Sequence, residues 1–250
     1  MKCLCIGDVH IKVNNIPEIE QMTKSLIQLS KEKNPTFIVL LGDILDRHSV
    51  INVHCLLQAE KLISALSEIS PTFVIIGNHD RPNNSNFLTI EHPFGAMKSW
   101  QNVYIIDTTK SFIISKDKLI REDISISHEN ENRFIFVPYV FPGRFKEALE
   151  KVKNPFDKTT AIFAHQEIKN AKMGPIISTA GDDWPIENPL LVSGHIHDYD
   201  ELQSNMIYVG TPIQHSFSET SLKTVSIFEF LYERQYKHER IDLGLKKKVT

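Results

Sequence analysis

Aspartate, asparagine and histidine side chains recur just beyond short apolar runs along this chain. They follow these runs by one to three residues, mostly at turns that contain glycine. The five segments are Gly7-Asp8-Val9-His10, Gly42-Asp43-Ile44-Leu45-Asp46-Arg47, Gly77-Asn78-His79-Asp80, Ala164-His165 and Gly194-His195-Ile196-His197. Carboxylate, imidazole and amide groups are all metal ligands. The mixture of imidazole with carboxylate suits zinc, manganese or iron better than calcium.

The spacing within these segments favours shared metal sites. In Asp8-x-His10 and His195-x-His197, two ligand-type residues lie two positions apart, so an extended chain points both to the same side. Each motif alone is weak evidence, because a single Gly-Asp pair is usually an ordinary turn and His-x-His also occurs by coincidence. The ordered set of five predicts a metal centre at the carboxyl ends of several strands, where functional groups of α/β sheets gather.

Hydrophobic periodicity predicts the elements that position these residues. In the first half, apolar runs alternate with helical patterns, which is typical of parallel strands joined by crossover helices. The predicted strands there are 2–6, 37–41 and 72–76, and the predicted helices are 17–33 and 53–69. The second half is strand-like, with runs at 103–106, 112–114, 134–137, 161–164, 190–192 and 206–209, one helix at 144–153, and a hairpin of 225–230 with 234–241. The predicted fold class is α/β (α+β), with two packed mixed β-sheets flanked by helices.

Length and composition favour a single domain over residues 1–250, ending in a basic tail at 243–250 that is interpreted as a solvated terminus and is a candidate for disorder. A net charge of -3, from 28 basic and 31 acidic residues, argues against a general polycationic binder of nucleic acid or membranes. It does not exclude a phosphate-rich substrate, because bound cations supply local positive charge.

Cellular location is predicted from the cysteines and from the segments that the sequence lacks. The three cysteines are interpreted as reduced thiols, with Cys3 and Cys5 buried on one strand. No secretory signal and no apolar stretch long enough for a membrane span are evident. An intracellular, cytoplasmic protein is expected.

The complete series of motifs resembles that of the calcineurin-like metallophosphoesterases, over residues 7–197. The resemblance implies a cofactor of two divalent metal ions, with manganese favoured and iron, zinc or magnesium as alternatives. One ion would be held by Asp8, His10, Asp43 and His197, and the other by Asp43, Asn78, His165 and His195, with Asp43 bridging. Two cations roughly 3.5 to 4 Å apart can neutralise phosphate oxygens, align the attack and activate a water.

The resemblance also implies roles for residues that do not bind metal. His79 matches the general acid that protonates the leaving alkoxide. Asp46 is expected to orient His79 and favour its imidazolium form, with a helix cap as the alternative. Arg47 is a candidate for binding the substrate phosphate or an ordinary surface ion pair, and His48 lines the substrate groove or is an exposed turn residue. The other histidines, expected to be structural or solvated, are His54, His92, His128, His215 and His238.

Three short segments, one of which overlaps a metal motif, point to one branch of this family. They are Tyr208-Val209-Gly210-Thr211-Pro212-Ile213 followed by Phe217-Ser218-Glu219, Gly42-Asp43-Ile44-Leu45-Asp46 before a helix, and Val137-Pro138-Tyr139. They resemble segments of SbcD-type nucleases, which are subunits of double-strand-break repair complexes and their phage recombination counterparts. The protein-phosphatase branch is disfavoured because no glycine follows Asp8-x-His10 and because Asp80 replaces glutamate.

This resemblance implies a DNA exonuclease or endonuclease, with DNA as the binding partner and no membrane partner. The alternatives are a nucleotide or cyclic-nucleotide phosphodiesterase, a phosphatase, and a catalytically inert binding scaffold. A coiled-coil SbcC-type ATPase is a further candidate partner, but the chain stops shortly after Ile241, before the region that usually docks on it. A homodimer is left open.

Overall fold

Two mixed β-sheets form the framework of the computed structural model, which describes residues 1–118, 120–122, 132–174, 176–231 and 234–248. His128 lies outside these residues. The first elements along the chain are β1 (Lys2–Ile6), α1 (Ile16–Lys33), β2 (Phe37–Leu40), α2 (Val53–Ser67), β3 (Thr72–Ile75), β4 (Val103–Ile106), β5 (Lys110–Ile114) and β6 (Ile120–Glu122). They are followed by β7 (Asn132–Val137), α3 (Phe145–Leu149), β8 (Thr159–His165), β9 (Lys172–Met173), β10 (Ile176–Ile177), β11 (Leu190–Gly194), β12 (Asp200–Gln203), β13 (Met206–Tyr208), β14 (Val225–Phe230) and β15 (Tyr236–Ile241).

The strand order confirms the predicted fold class. Sheet I has the order β15-β14-β1-β2-β3-β4, and sheet II has the order β12-β13-β11-β8-β7-β5-β6. Strands β1 to β4 are parallel, and α1 and α2 connect the first three of them. In sheet II, β7, β8, β11 and β13 are parallel, and antiparallel strands complete both of its edges. The carboxyl ends of the parallel strands are therefore available to gather ligands in each sheet.

Alternating side chains of the central strands divide the core into layers. On β1, Leu4 and Ile6 pack towards the helices, whereas Cys3 and Cys5 pack between the two sheets. The layer between the sheets is rich in phenylalanine, and the rings of Phe73 and Phe136 stack at a centroid distance of 4.1 Å. All three cysteines are free and buried, in line with the interpretation as reduced thiols.

Local sequence signals explain where the helices begin and end. α1 carries Pro17 in its first turn and stops at Asn34, which adopts a left-handed conformation with φ 46°. α2 is capped by the side chain of Asn52, which accepts a hydrogen bond from the backbone of His54 at 2.9 Å. Asp46 is therefore not the cap of this helix. α3 is shorter than the predicted 144–153, because the N–H groups of residues 151 and 152 bond three residues back rather than four.

Several elements were not predicted, and they share a polar or exposed character. β6, β9, β10 and β12 are short and at least partly exposed, so they lack the apolar signal that identifies a buried strand. Residues 243–248 of the basic tail contact the rest of the protein. Leu243 and Leu245 pack against the core, and the backbone N–H of Lys248 donates to Gln214 at 3.0 Å. Among the described helices, none has the length and apolar character that a membrane crossing requires.

Candidate metal centre

The loops that follow β1, β2 and β3 of sheet I meet those that follow β8 and β11 of sheet II. Hydrogen bonds join the two groups of loops directly. The backbone N–H of His195 donates to the carboxylate of Asp8 at 3.0 Å, and the imidazole Nδ1 of His165 donates to the carbonyl of Leu41 at 2.8 Å. Within sheet I, the carbonyl of Asp43 accepts from the backbone N–H of His10 at 2.9 Å. The centre is therefore built across the seam between the sheets.

All seven predicted ligand side chains converge at this seam. Ligand atoms of Asp8, His10 and His197 lie within 4.8 Å of one another, and so do those of Asp43, His165 and His195. The amide oxygen of Asn78 lies 2.9 Å from Nε2 of His165 and 3.0 Å from Nδ1 of His195.

Asp43 lies between the two groups of ligands. Its Oδ2 atom is 3.6 Å from Nε2 of His10 and 3.4 Å from Nε2 of His165. One carboxylate oxygen of Asp43 is therefore near a histidine of each group.

Unusual backbone conformations accompany the candidate ligands. His10, Asp43 and His195 have positive φ angles of 45°, 49° and 82°, which residues other than glycine rarely adopt. Such conformations cost free energy and persist where the surrounding structure holds them, often at functional sites. Here they turn the side chains of the ligands towards the seam.

Two glycines permit the close approach of the loops. A Cβ atom at Gly194 would lie 2.6 Å from Oδ1 of Asp8 and 2.6 Å from the carbonyl oxygen of Leu41. A Cβ atom at Gly77 would collide with the backbone nitrogen and the carboxylate of Asp43. Any larger residue at these two positions would displace a candidate ligand. Glycine is therefore required for steric reasons directly before His195 and before Asn78.

Two buried carboxylates give the centre its negative charge. Asp8 and Asp43 are 0% and 2% exposed, and within the described residues their ion-pair partners are imidazoles rather than lysine or arginine. Burial raises the pKa of Asp8. At Asp43 burial also acts to raise the pKa, but the imidazoles of His165 and His10 outweigh it and hold the pKa well below its usual range. Buried carboxylates, imidazole nitrogens and an amide oxygen converging without a basic partner fit divalent cations.

The histidines respond in opposite directions to this environment. Burial lowers the pKa of His165, but the charges of Asp43 and Asp8 overcome this effect and raise it to about 9. Burial dominates at His10 and lowers its pKa well below the ordinary value. Protons therefore bind to some of the converging ligands when no cation is present. A cation must compete with these protons for the same ligand atoms.

Asp80, directly after His79, connects two of the loops without joining the ligands. Its fully buried carboxylate accepts hydrogen bonds from the backbone of Leu45 at 2.9 Å and of Gly77 at 3.0 Å. Burial, followed by the charge of Asp43, raises the pKa of Asp80 to about 7. The side chain holds the turn after β2 against the turn after β3.

Glu219 is a residue of the centre that sequence reasoning missed. Its Oε1 atom lies 2.9 Å from Nδ1 of His197, so Nε2 of that ring faces His10 and Asp8. The buried Nζ of Lys223 lies 3.0 Å from the other carboxylate oxygen of Glu219. A carboxylate on the outer nitrogen of a metal-binding histidine fixes its tautomer and orientation. Glu219 lies in the segment Phe217-Ser218-Glu219, which resembles a segment of SbcD-type nucleases. No spacing rule, however, links Glu219 to His197.

His215 also lies at the centre, although its sequence position gave no reason to expect it. Its Nε2 atom is 3.2 Å from the carbonyl oxygen of Asp8, and its ring centroid is 5.1 Å from that of His10. Burial lowers its pKa to about 4. By contrast, Nε2 of His92 lies 3.1 Å from the carboxylate of Asp107, which is not one of the candidate ligands.

His79 is adjacent to the ligands but is held in a different way. Its backbone N–H donates to Asp43 at 2.8 Å, and its Nδ1 donates to the backbone carbonyl of Asp46 at 2.7 Å. The expected contact with the carboxylate of Asp46 is therefore replaced by one with its carbonyl. That carboxylate instead binds Lys12 at 3.0 Å, because the turn after β2 directs the Asp46 side chain towards the loop after β1. The ring of His48 stacks on His79 at 4.6 Å.

Two cavities are formed by the loops that carry the candidate ligands. One, of about 330 Å³, is lined by His195, His197 and Glu219. The other, of about 480 Å³, is lined by residues of two segments, 11–14 and 45–55, including Asp46 and Arg47. Arg47 is exposed on this second cavity, away from the ligands themselves.

The fold and the site together define a class of protein, an α/β sandwich with a carboxylate–histidine centre across the seam of two sheets. The sequence profile described as "Calcineurin-like phosphoesterase" matches residues 1–199. The chain therefore belongs to the calcineurin-like phosphoesterase family, and divalent metals and phosphoester hydrolysis are the chemistry of that family.

Two viral proteins are similar in sequence. "Putative phosphoesterase 078R" of Invertebrate iridescent virus 3 is 37% identical over 247 residues, which are 98% of this chain and 66% of that protein. "Putative phosphoesterase 244L" of Invertebrate iridescent virus 6 is 41% identical over 221 residues, which are 88% of this chain and 72% of that protein. The chain thus spans about two thirds of the length of these relatives.

Solved structures share the fold at low sequence identity. The one described as "GAP50 the anchor in the inner membrane complex of Plasmodium" has a TM-score of 0.60 and 15% identity, covering 100% of this chain and 89% of that chain. TT1561 of Thermus thermophilus has a TM-score of 0.54 and 10% identity, covering 96% of this chain and 98% of that chain. These similarities concern the fold alone.

Proposed function

We propose that this protein is a two-metal phosphodiesterase that cleaves DNA, in the manner of an SbcD-type nuclease. The observation that carries the proposal is the convergence of seven ligand side chains into two groups, with Asp43 between them. Asp8, His10, Asp43 and His197 would hold one ion, and Asp43, Asn78, His165 and His195 would hold the other. Manganese is the ion that we expect, since it accepts both imidazole and carboxylate ligands.

The bound ions would supply the positive charge that neutralises phosphate oxygens and activates water for attack. The protein's own residues then have separate tasks. Leu41 and Glu219 hold the outer nitrogens of His165 and His197, so each ring presents its other nitrogen to the centre. The buried loops exclude water from the ligands on the sides that face the sheets.

His79 has the geometry of a general acid. Because a carbonyl oxygen only accepts, the contact with Asp46 fixes the proton of His79 on Nδ1. Nε2 is then the nitrogen that can present a second proton to the departing oxygen, when the ring is an imidazolium. The stacked ring of His48 limits the rotation of His79, which supports the placement of His48 at the substrate groove.

DNA is favoured as the substrate by the segments that resemble the nuclease branch, because segment 42–46 carries the candidate ligand Asp43 and the other two segments lie against the centre. The backbone N–H of Thr211 donates to the carbonyl of His197 at 3.0 Å. The ring of Tyr139 lies 5.8 Å from that of His195. These contacts support a role for the segments near the substrate phosphate.

The test is a substrate panel with manganese. Purified protein is assayed on single-stranded DNA, duplex DNA, RNA, cyclic nucleotides, phosphoprotein and a chromogenic phosphodiester. We expect DNA and the chromogenic diester to be cleaved. Hydrolysis of cyclic nucleotides with DNA left intact would instead identify a small-molecule phosphodiesterase. A protein that stays inert and binds less than one manganese ion per chain would be a scaffold.

The role of His79 is tested separately. His79→Ala should lower kcat by about 100-fold to 10,000-fold while both metal ions remain bound, as measured by elemental analysis. His54→Ala, at an exposed histidine near the start of α2, is the matched control and should be fully active. Wild-type turnover in His79→Ala would remove the general acid from the mechanism.

A further inference from the structure

The smaller of the two cavities, of about 330 Å³, borders both groups of candidate ligands. His197 lines it from one group and His195 from the other. A phosphate that contacts ions held by both groups therefore lies next to this cavity. Its volume is at the lower end of the range of roughly 300 to 1,000 Å³ for small-ligand sites, which suits a phosphate with part of a sugar.

The short hairpin of β9 and β10 supplies another wall of the smaller cavity, which Lys172 and Met173 line. The hairpin is attached to the loops of the metal centre at its base. There, the hydroxyl of Ser178 donates to Glu167 at 2.5 Å, and the carboxylate of Glu167 lies 3.9 Å from Nε2 of His195. These contacts hold the backbone of Lys172 at the cavity.

Lys172 brings a positive charge to the smaller cavity that the protein itself does not compensate. Its side chain is exposed, and within the described part of the chain it forms no ion pair. The two carboxylates that line the cavity are already engaged, because Asp198 and Glu219 lie 2.9 Å and 3.0 Å from the buried Nζ of Lys223. The charge of Lys172 is therefore left for an anion that enters the cavity.

Two hydroxyl groups add hydrogen-bonding capacity beside this charge. Ser216 and Ser218 line the smaller cavity, and their Oγ atoms lie 2.8 Å apart. Each hydroxyl carries one proton, so when one donates to the other, the second keeps its proton for an outside acceptor. Phosphate oxygens accept from hydroxyl and ammonium groups alike. Met173, which is 40% exposed, offers apolar surface to a sugar.

We propose that the smaller cavity binds the phosphate next to the scissile one in a nucleic acid strand, with Lys172 as its ion-pair partner. A strand carries a phosphate at every nucleotide. When the scissile phosphate lies at the seam, a neighbouring phosphate must lie close by, and the cavity offers it an uncompensated ammonium group. The proposal rests on the phosphodiesterase function and names a residue that selects polynucleotides over diesters with a single phosphate.

The test compares substrates that differ only in the neighbouring phosphate. Dithymidine monophosphate is hydrolysed with manganese beside two derivatives that carry one additional phosphate, one at each end of the dinucleotide. We expect one derivative to have a kcat/KM about tenfold above that of the parent, since a hydrogen bond to a charged group is made only with the added phosphate. This ratio should fall to about one in Lys172→Gln. The matched control is Lys169→Gln, at an exposed lysine that pairs with Asp183 and does not line the cavity.

The outcomes separate this proposal from the phosphodiesterase function. No preference for either derivative in the wild type, or an unchanged ratio in Lys172→Gln, would overturn the subsite proposal alone. If the wild type hydrolyses neither the dinucleotides nor the chromogenic diester, the phosphodiesterase proposal fails. Isothermal titration with thymidine bisphosphate in manganese buffer then tests the cavity by itself. A Kd about tenfold weaker in Lys172→Gln than in the wild type and Lys169→Gln supports the subsite, whereas equal Kd values or no binding to the wild type refute it.

Discussion

Glu219 offers a direct test of how the centre holds metal. One carboxylate oxygen contacts His197 at 2.9 Å, and the other accepts from the backbone of His215 at 2.9 Å and lies 3.0 Å from Nζ of Lys223. The side chain is 10% exposed, so solvent weakens these contacts little. His197 is the more exposed partner, at 37%. We therefore expect its orientation to depend on Glu219 rather than on packing.

The size of the effect follows from the two things that Glu219 provides, a hydrogen-bond acceptor and a charge. Loss of an outer partner of a metal-binding histidine typically costs about 10-fold to 100-fold in metal affinity, or about 1.4 to 2.7 kcal/mol. Glu219→Gln keeps the acceptor and removes the charge, so we expect a loss near tenfold. Glu219→Ala removes both and also leaves Lys223 with Asp198 as its carboxylate partner, so we expect a loss near 100-fold.

Isothermal titration of manganese into the metal-free protein measures this affinity without any substrate. Glu239→Gln is the control, because it also removes a carboxylate charge. The carboxylate of Glu239 forms an exposed ion pair with Lys33 at 3.0 Å. Hydrolysis by Glu219→Gln should be weak at limiting manganese and recover at saturating manganese. Wild-type affinity in a correctly folded Glu219→Ala protein would refute the reasoning, because His197 would then need no partner on its outer nitrogen.

Three further predictions concern the fold and the centre. Saturating manganese, at 100 times its Kd, should stabilise the protein by about 2.7 kcal/mol. This stabilisation should raise Tm by roughly 5 to 10 °C for a chain of this size. An unchanged Tm in differential scanning calorimetry would argue against a metal site that forms on folding. Gly194→Ala should displace Asp8 and reduce the manganese content below two ions per chain by elemental analysis, whereas Gly95→Ala, where nothing lies within 4 Å of the added carbon, should bind metal normally. Burial lowers the pKa of His238 from 6.5 to about 4, so the unfolded chain takes up the proton first and stability is lost as the pH falls from about 6.5 to 4. His238→Gln should show a smaller decrease in the free energy of unfolding over this range in urea titrations, and an identical decrease would contradict the assignment.

The sequence allowed prediction of the parallel strands and of the residues at their ends, because both depend on local pattern. A buried parallel strand is a continuous apolar run, and its carboxyl end must present its ligand at a turn. The four short strands that were missed have no such run. β12 is a half-exposed edge strand, and its pairing with β13 is irregular between Glu201 and Gln203.

The supporting contacts of the centre could not be predicted, because they depend on where distant loops meet. Glu219 and His197 are 22 residues apart, and no periodic pattern relates them. The contact of His79 with the backbone carbonyl of Asp46, in place of the expected carboxylate, could not be predicted for the same reason. The local sequence suggests that Asp46 contacts His79, but the direction of the turn decides which of its oxygens does so.

The division of the centre between the two sheets has a consequence for biosynthesis. Asp8, His10, Asp43 and Asn78 leave the ribosome early, but His195 and His197 follow only after roughly three quarters of the 250 residues have been made. A nascent chain therefore exposes four of the seven candidate ligands before the remaining ones have been made. Binding of the metal ions that we propose would then be a late event, because it requires ligands from both sheets.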